Sequence, residues 1–131
     1  MANNIHQEID YDETPDRLYE ILLSSQSFAE FTGAPAEIDA SEGGAFSCFG
    51  GQILGRNIEL VPGERIVQDW RVAAWGEGVF SAVSFSFEKS ETATRISLDH
   101  SGFPDGFEEH LEGGWPKMYW DPLRVYLAGE K

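Results

Sequence analysis

Hydrophobic residues in the segment from His100 to the C-terminal Lys131 recur at helical spacing. Steps of 3, 4 and 1 residues separate them, which places them on one stripe of a helix. The stripe comprises Phe107, Leu111, Trp115, Met118, Tyr119, Leu123, Tyr126 and Leu127. Because Gly113-Gly114 and Pro122 are costly inside a helix, we expect a break or kink near Gly114-Trp115-Pro116 and a firm helix from about Pro116. A helix so apolar on one side must lie against a large surface.

The first third of the chain predicts one strand followed by two short helices. Apolar and polar residues alternate from Ile5 to Tyr11, which is typical of a half-buried strand. Thr14 and Pro15 then predict a helix start, since a threonine hydroxyl caps the first turn and proline suits its first position. A serine-rich break leads into the second helix, which we expect to end at Gly33.

The middle of the chain predicts strands joined by turns. Alternating or apolar runs cover residues 46–49, 52–61, 64–73, 79–87 and 92–100. Gly50-Gly51 predicts a two-residue hairpin turn, and Pro62-Gly63 predicts a type II turn. Asp105 and Glu108 have the spacing of a capping box for the last helix. The pattern predicts an α+β fold, with residues 1–131 forming one domain.

Composition and charge exclude several classes of partner. The chain has 131 residues, and nine basic residues against 23 acidic ones give a net charge of −14. Proteins bind nucleic acids and anionic membranes mainly through clustered Lys and Arg residues. Because this chain is strongly acidic, we expect neither as a partner. The only cysteine, Cys48, cannot form an intrachain disulfide and suits a small buried position. With no signal-like N-terminus and no long apolar run, we expect a cytoplasmic protein.

Several segments together resemble the SRPBCC or START-like superfamily, whose fold is called helix-grip. Within it, the chain is similar to the branch named for the C-terminal domain of the activator of the heat shock protein 90 ATPase. The matching segments are Thr14–Tyr19, Gly43–Phe46, Gly55–Ile66, Val67–Trp70, Thr94–Ile96, Leu98–His100, Gly114–Trp115 and Tyr119–Leu123. The resemblance implies a curved antiparallel sheet of about six or seven strands wrapped around the C-terminal helix, with a cavity between them.

Strand alternation predicts which polar side chains enter that cavity. Residues on the same face as the large apolar ones should point inward, although one bulge reverses such an assignment. The predicted ligand-binding residues are Gln7, Arg56, Gln68, Trp70, His100, Trp115 and Tyr119. An inward Arg56 would require a carboxylate or the anionic end of a ligand, since an unpaired buried charge is costly.

Three functions remain open at this point. The leading hypothesis is the binding of a hydrophobic small molecule by a monomer or homodimer, with Val67 and Phe80 as candidates for an outer dimer face. The first alternative is a cyclase or hydratase acting on a polyketide-like or aromatic substrate, which requires Arg56, Gln68 and His100 to converge. The second is a chaperone-interacting module, as the resemblance implies. We assign no catalytic residue, and no motif predicts a metal or another cofactor.

Overall fold

Seven antiparallel strands form one sheet in the computed structural model, which describes residues 4–75 and 78–130. The strands are β1 (Asn4–Tyr11), β2 (Ala36–Ile38), β3 (Ala45–Cys48), β4 (Ile53–Val61), β5 (Arg65–Val72), β6 (Ser81–Lys89) and β7 (Thr94–Ser101). Their spatial order is β1-β7-β6-β5-β4-β3-β2, so every neighbour except β1–β7 is also a neighbour in sequence. The predicted α+β class and the number of strands are confirmed.

Two short helices, α1 (Pro15–Leu23) and α2 (Ser25–Thr32), connect β1 to β2. The Thr14 hydroxyl accepts a hydrogen bond of 3.2 Å from the backbone N–H of Arg17. The next helix is capped in the same way by Ser24, and it ends at Gly33 with φ of 75°. The start predicted at Thr14 and the stop predicted at Gly33 are confirmed, because each depends only on local hydrogen bonds and backbone freedom. The second helix begins earlier than expected, at Ser25, within the serine-rich segment.

The C-terminal helix runs from Glu108 to Glu130 in three parts: α3 (Glu108–Trp115), a π-helical turn (Pro116–Trp120) and α4 (Asp121–Glu130). The helix is not broken near Gly114-Trp115-Pro116, and the expected irregularity there takes the form of the π-helical turn. The helix absorbs the proline through one wider turn, in which the N–H of Asp121 donates to the carbonyl of Pro116. The predicted capping box is also wrong, since Phe107 precedes the first turn and makes no side-chain cap.

The core lies between the inner face of the sheet and the helices. Alternate residues of β6 and β7 are buried on that face, among them Val83, Phe85, Ile96 and Leu98. The buried stripe of the C-terminal helix comprises Leu111, Trp115, Tyr119, Leu123 and Leu127. The inward assignments for β1, β5, β6 and β7 follow the predicted alternation.

The alternation predicted for β4 is wrong, and with it the inward position of Arg56. Arg56 is exposed, whereas Asn57 is fully buried. Gly55 takes an inward position and leaves the space beside it to the ring of Phe46. The register then shifts between Asn57 and Glu59, so that Ile58 bulges outward and is 47% exposed. The apolar pattern of β4 was misleading for two reasons. The inward position at Gly55 has no side chain, and the bulge at Ile58 reverses the alternation.

Candidate functional site

A cavity of about 290 Å³ lies between strands β4 and β5 and the C-terminal helix. Its buried wall consists of Trp70, Leu111, Trp115 and Tyr119. Its exposed rim consists of Gln52, His110, Lys117 and Met118. Phe49, Ile53, Val72 and Gly114 complete the lining. The site is thus apolar inside and polar at its mouth, which is the usual arrangement of a small-molecule pocket.

Tilted aromatic rings form the inner wall. The ring centroids of Trp115 and Tyr119 are 4.5 Å apart, and those of Trp70 and Trp115 are 5.5 Å apart. Burial raises the pKa of Tyr119 well above its usual value, and the neighbouring Trp70 side chain offsets this rise only in part. The indole N–H of Trp70 makes no hydrogen bond of acceptable geometry to any described residue. The wall therefore carries no charge at ordinary pH.

The floor of the cavity includes a strained residue. Phe49 has φ of 55°, in the left-handed region that a bulky side chain rarely adopts. Gly50 and Gly51 follow with φ of 66° and 93°, and the N–H of Gln52 donates to the carbonyl of Phe49 over 3.3 Å. Strand pairing ends at Cys48 and Ile53, so the connection has four residues rather than the predicted two. The ring of Phe49 lies near that of Tyr119, with 5.8 Å between the ring centroids.

His100 lies behind this wall in a closed hydrogen-bond network. The indole N–H of Trp115 donates to His100 Nδ1 over 3.2 Å. Because an indole can only donate, Nδ1 must be the unprotonated nitrogen and Nε2 must carry the hydrogen. Nε2 then donates to the Ser81 hydroxyl over 2.7 Å, and that hydroxyl donates to the Trp70 carbonyl over 2.8 Å.

The network keeps His100 neutral. The residue is 0% exposed, and burial lowers its pKa from 6.5 to about 4. A second proton would have to sit on Nδ1, where it would face the N–H of Trp115. A neutral histidine with both nitrogens engaged is a poor general base. Its evident effect is to hold the C-terminal helix against β6 and β7.

Gln7 also connects strand and helix. Since Pro116 has no N–H, the carbonyl of Glu112 lacks its helical donor, and Gln7 Nε2 donates to it over 2.9 Å. Gln7 Oε1 accepts from the indole N–H of Trp120 over 2.7 Å. The side-chain amide of Gln7 thus supplies the hydrogen bond that Pro116 cannot donate, and it also binds the π-helical turn through Trp120.

Gln68 plays a similar part within the sheet. Its amide donates to Asn57 Oδ1 over 3.0 Å, and the amide of Asn57 donates to the carbonyl of Asp39 over 2.9 Å. Both side chains are buried. The pair ties the bulge of β4 to β5 and to the segment after β2.

The structure brings together three of the seven residues predicted to bind a ligand. Trp70, Trp115 and Tyr119 line the cavity, whereas Gln7, Gln68 and His100 are engaged with other parts of the protein. Arg56 lies on the outer side, in a shallow groove with Arg71 and Phe80. The convergence that a cyclase or hydratase would need from Arg56, Gln68 and His100 is therefore missing.

Sequence reasoning missed the rim and two buried partners. Ser81 had a usable signal, because it shares the inward alternation of Val83 and Phe85 in β6. Asn57 was hidden by the bulge in β4. Lys117 also had a usable signal, because it follows His110 by seven residues and therefore shares that face of the helix.

Comparison with known proteins agrees with this architecture. The model of the family "Activator of Hsp90 ATPase homolog 1-like protein" matches residues 12–128. The chain belongs to this family. The human activator of 90 kDa heat shock protein ATPase homolog 1 is 31% identical over 111 residues, which are 85% of this chain and 33% of the human protein. This chain therefore spans about a third of the length of that relative.

Two solved structures illustrate the similarity of fold. An HSP90 activator from Plasmodium falciparum superposes with a TM-score of 0.91 at 27% identity, covering 95% of this chain and 96% of the other. A protein described as the Aha1 dimer from Colwellia psychrerythraea superposes with a TM-score of 0.78 at 17% identity, covering 90% and 91%. At that identity the second comparison shows the fold alone.

Among the residues that the structure describes, no helix is both long enough and apolar enough to cross a membrane.

Proposed function

We propose that this chain is a module that binds a chaperone of the heat shock protein 90 type and stimulates its ATPase. The observation that carries the proposal is the superposition on the Plasmodium falciparum HSP90 activator, which covers nearly all of both chains at a TM-score of 0.91. The family match over residues 12–128 supports it. The buried network around His100 provides a rigid body for such a role, since preorganised surfaces lose little entropy on binding.

Exposed apolar side chains suggest where a protein partner could dock. Ile58 on β4 is 47% exposed, Phe80 before β6 is 46% exposed and Val125 on α4 is 73% exposed. Large apolar residues at the centre of an interface usually contribute most of its binding energy. These three positions lie on different elements, so variants at them separate the possible docking faces.

ATPase turnover of the purified chaperone from the same organism tests the proposal. We expect faster turnover on addition of this protein, abolished by an inhibitor of the chaperone's nucleotide site. One of the serine variants at Ile58, Phe80 and Val125 should weaken the stimulation, while the other two serve as matched controls. Unchanged turnover at saturating protein would reject the ATPase part of the proposal.

The cavity favours a second function, the binding of a hydrophobic small molecule. Its volume of about 290 Å³ is near the lower end of the usual range for ligand pockets, and its inner wall is aromatic. Native mass spectrometry of freshly purified protein tests this function. We expect extra mass that is lost on denaturation. An aromatic substitution in the wall of the cavity, such as Trp115→Phe, should change the fraction of protein that carries this mass.

We further propose that residues 1–131 form one folding unit in the cytoplasm, as a monomer or homodimer. The continuous buried core across the sheet and the helices supports the single unit. A buried, unpaired cysteine is compatible with a reducing compartment.

A further inference from the structure

We propose that the cavity takes an amphiphile with one anionic head, such as a medium-length carboxylic acid, with the head at Lys117 and the tail against Trp70 and Trp115. This inference rests on the second proposed function, the binding of a hydrophobic small molecule. It adds the class of ligand and the direction in which it enters.

The charge of the rim carries the inference. The chain has 23 acidic and nine basic residues, yet among the residues that the structure describes, no carboxylate lines the cavity. The lining instead includes Lys117 and His110, both exposed. Glu109 and Glu112 lie on the same helix but do not line the cavity. A rim of this composition favours an anion over a cation.

Lys117 is available to such a ligand. No hydrogen bond or ion pair of its ammonium group occurs within the described part of the chain, whereas Arg65 and Arg95 are held by carboxylates on the sheet. Gln52 and His110 add hydrogen-bonding groups at the same mouth. A carboxylate placed there can exchange water for charge-assisted hydrogen bonds without being drawn into the apolar interior.

The dimensions of the cavity limit the tail. A volume of about 290 Å³ holds about ten non-hydrogen atoms if each takes the space of one water molecule, about 30 Å³. Decanoate is therefore a suitable probe. Its tail would meet Trp70, Leu111 and Trp115, which are 3%, 6% and 3% exposed. The net charge of −14 disfavours an anionic membrane surface as the source of the head group, so the ligand is a free monomer.

Binding of decanoate and of decylammonium, which has the same chain length and the opposite charge, tests the inference. The signals of the four indole N–H groups in a ¹⁵N–¹H correlation spectrum report the site. We expect decanoate, below its micelle concentration, to shift the signals of Trp70 and Trp115 more than those of Trp75 and Trp120. We expect it to bind at least about fivefold more tightly than decylammonium, as one exposed charge contact can give.

Charge variants at the rim make the test specific. Lys117→Met should weaken decanoate binding about fivefold, and Lys117→Glu should reverse the preference in favour of decylammonium. Lys89→Met, at the far end of β6, removes the same charge away from the cavity and should leave both affinities unchanged. Equal affinities for the two probes, or equal effects of the two Lys→Met variants, would overturn the anionic head while leaving the small-molecule function intact. If neither decanoate nor decylammonium binds, both the anionic head and the small-molecule function are overturned.

Discussion

The buried histidine predicts a specific loss of stability in mild acid. The folded protein holds His100 with a pKa of about 4, whereas an exposed histidine has its pKa near 6.5. Between these values the unfolded chain binds more protons than the folded one. Unfolding therefore becomes easier as the pH falls below 6.5, and the stability is fully present only above that value.

The size of the effect follows from the same two values. Each pKa unit corresponds to about 1.4 kcal/mol, so a full shift from 6.5 to about 4 corresponds to about 3 kcal/mol. Between pH 8 and pH 5.5, linkage gives a loss of about 1 kcal/mol in the free energy of unfolding. Work above pH 5 avoids most of the titration of ordinary carboxyl groups.

A second histidine has the opposite sign and has to be removed. His6 is exposed and contacts Asp99 and Glu8 at 2.7 and 2.8 Å, and its hydrogen bond with Asp99 is the main cause of its raised pKa. Its contribution to stability is present at low pH and is lost as the pH rises through that raised pKa. All variants compared in this experiment therefore carry His6→Gln, so that the pH dependence of stability caused by His100 can be measured without the opposing contribution of His6.

Urea unfolding followed by tryptophan fluorescence at pH 8, 7, 6 and 5.5 gives the measurement. We expect the free energy of unfolding of His6→Gln to fall by about 1 kcal/mol over this range. The double variant His6→Gln/His100→Gln should be less stable at pH 8 by about 1–3 kcal/mol, because the Trp115 and Ser81 hydrogen bonds are disturbed. Its stability should change little with pH. Parallel pH dependence in the two proteins would refute the neutral, buried state of His100.

Three further predictions follow from the packing. Gln7→Ala should destabilise the protein by about 1–2 kcal/mol in urea unfolding, since the part-buried indole N–H of Trp120 loses its acceptor, whereas the exposed carbonyl of Glu112 can accept from water. Burial raises the pKa of Cys48 to about 12, so a thiol reagent at pH 8 should react only after urea is added, and fast reaction of the native protein would contradict this burial. Gly55→Ala should prevent stable folding because its methyl group would overlap the backbone of β5, whereas Gly113→Ala, with open space on α3, should raise the melting temperature.

Local signals in the sequence predicted the parts of the fold that local physics controls. Thr14 and Gly33 marked helix ends correctly because caps and left-handed residues depend on a few neighbouring atoms. The alternation in β6 and β7 identified their buried faces, and it placed His100 inside. The resemblance to the helix-grip family supplied the way these elements come together.

Non-local compensation explains what the sequence could not predict. The bulge at Ile58 turned Arg56 outward, and a bulge depends on how two strands pair rather than on either strand alone. The helix continues through Pro116 because Gln7, far away in sequence, donates the hydrogen bond to Glu112 that the proline cannot make. A residue so distant could not be identified from the local pattern.

Direct binding to a heat shock protein 90-type chaperone is the measurement that tests the proposed function most simply. Sedimentation velocity of the protein with the purified chaperone, with and without a non-hydrolysable ATP analogue, reports a complex without relying on catalysis. We predict that the protein sediments with the chaperone in a saturable manner in at least one nucleotide state. If the two proteins sediment independently in every state, this chain is not a chaperone-binding module.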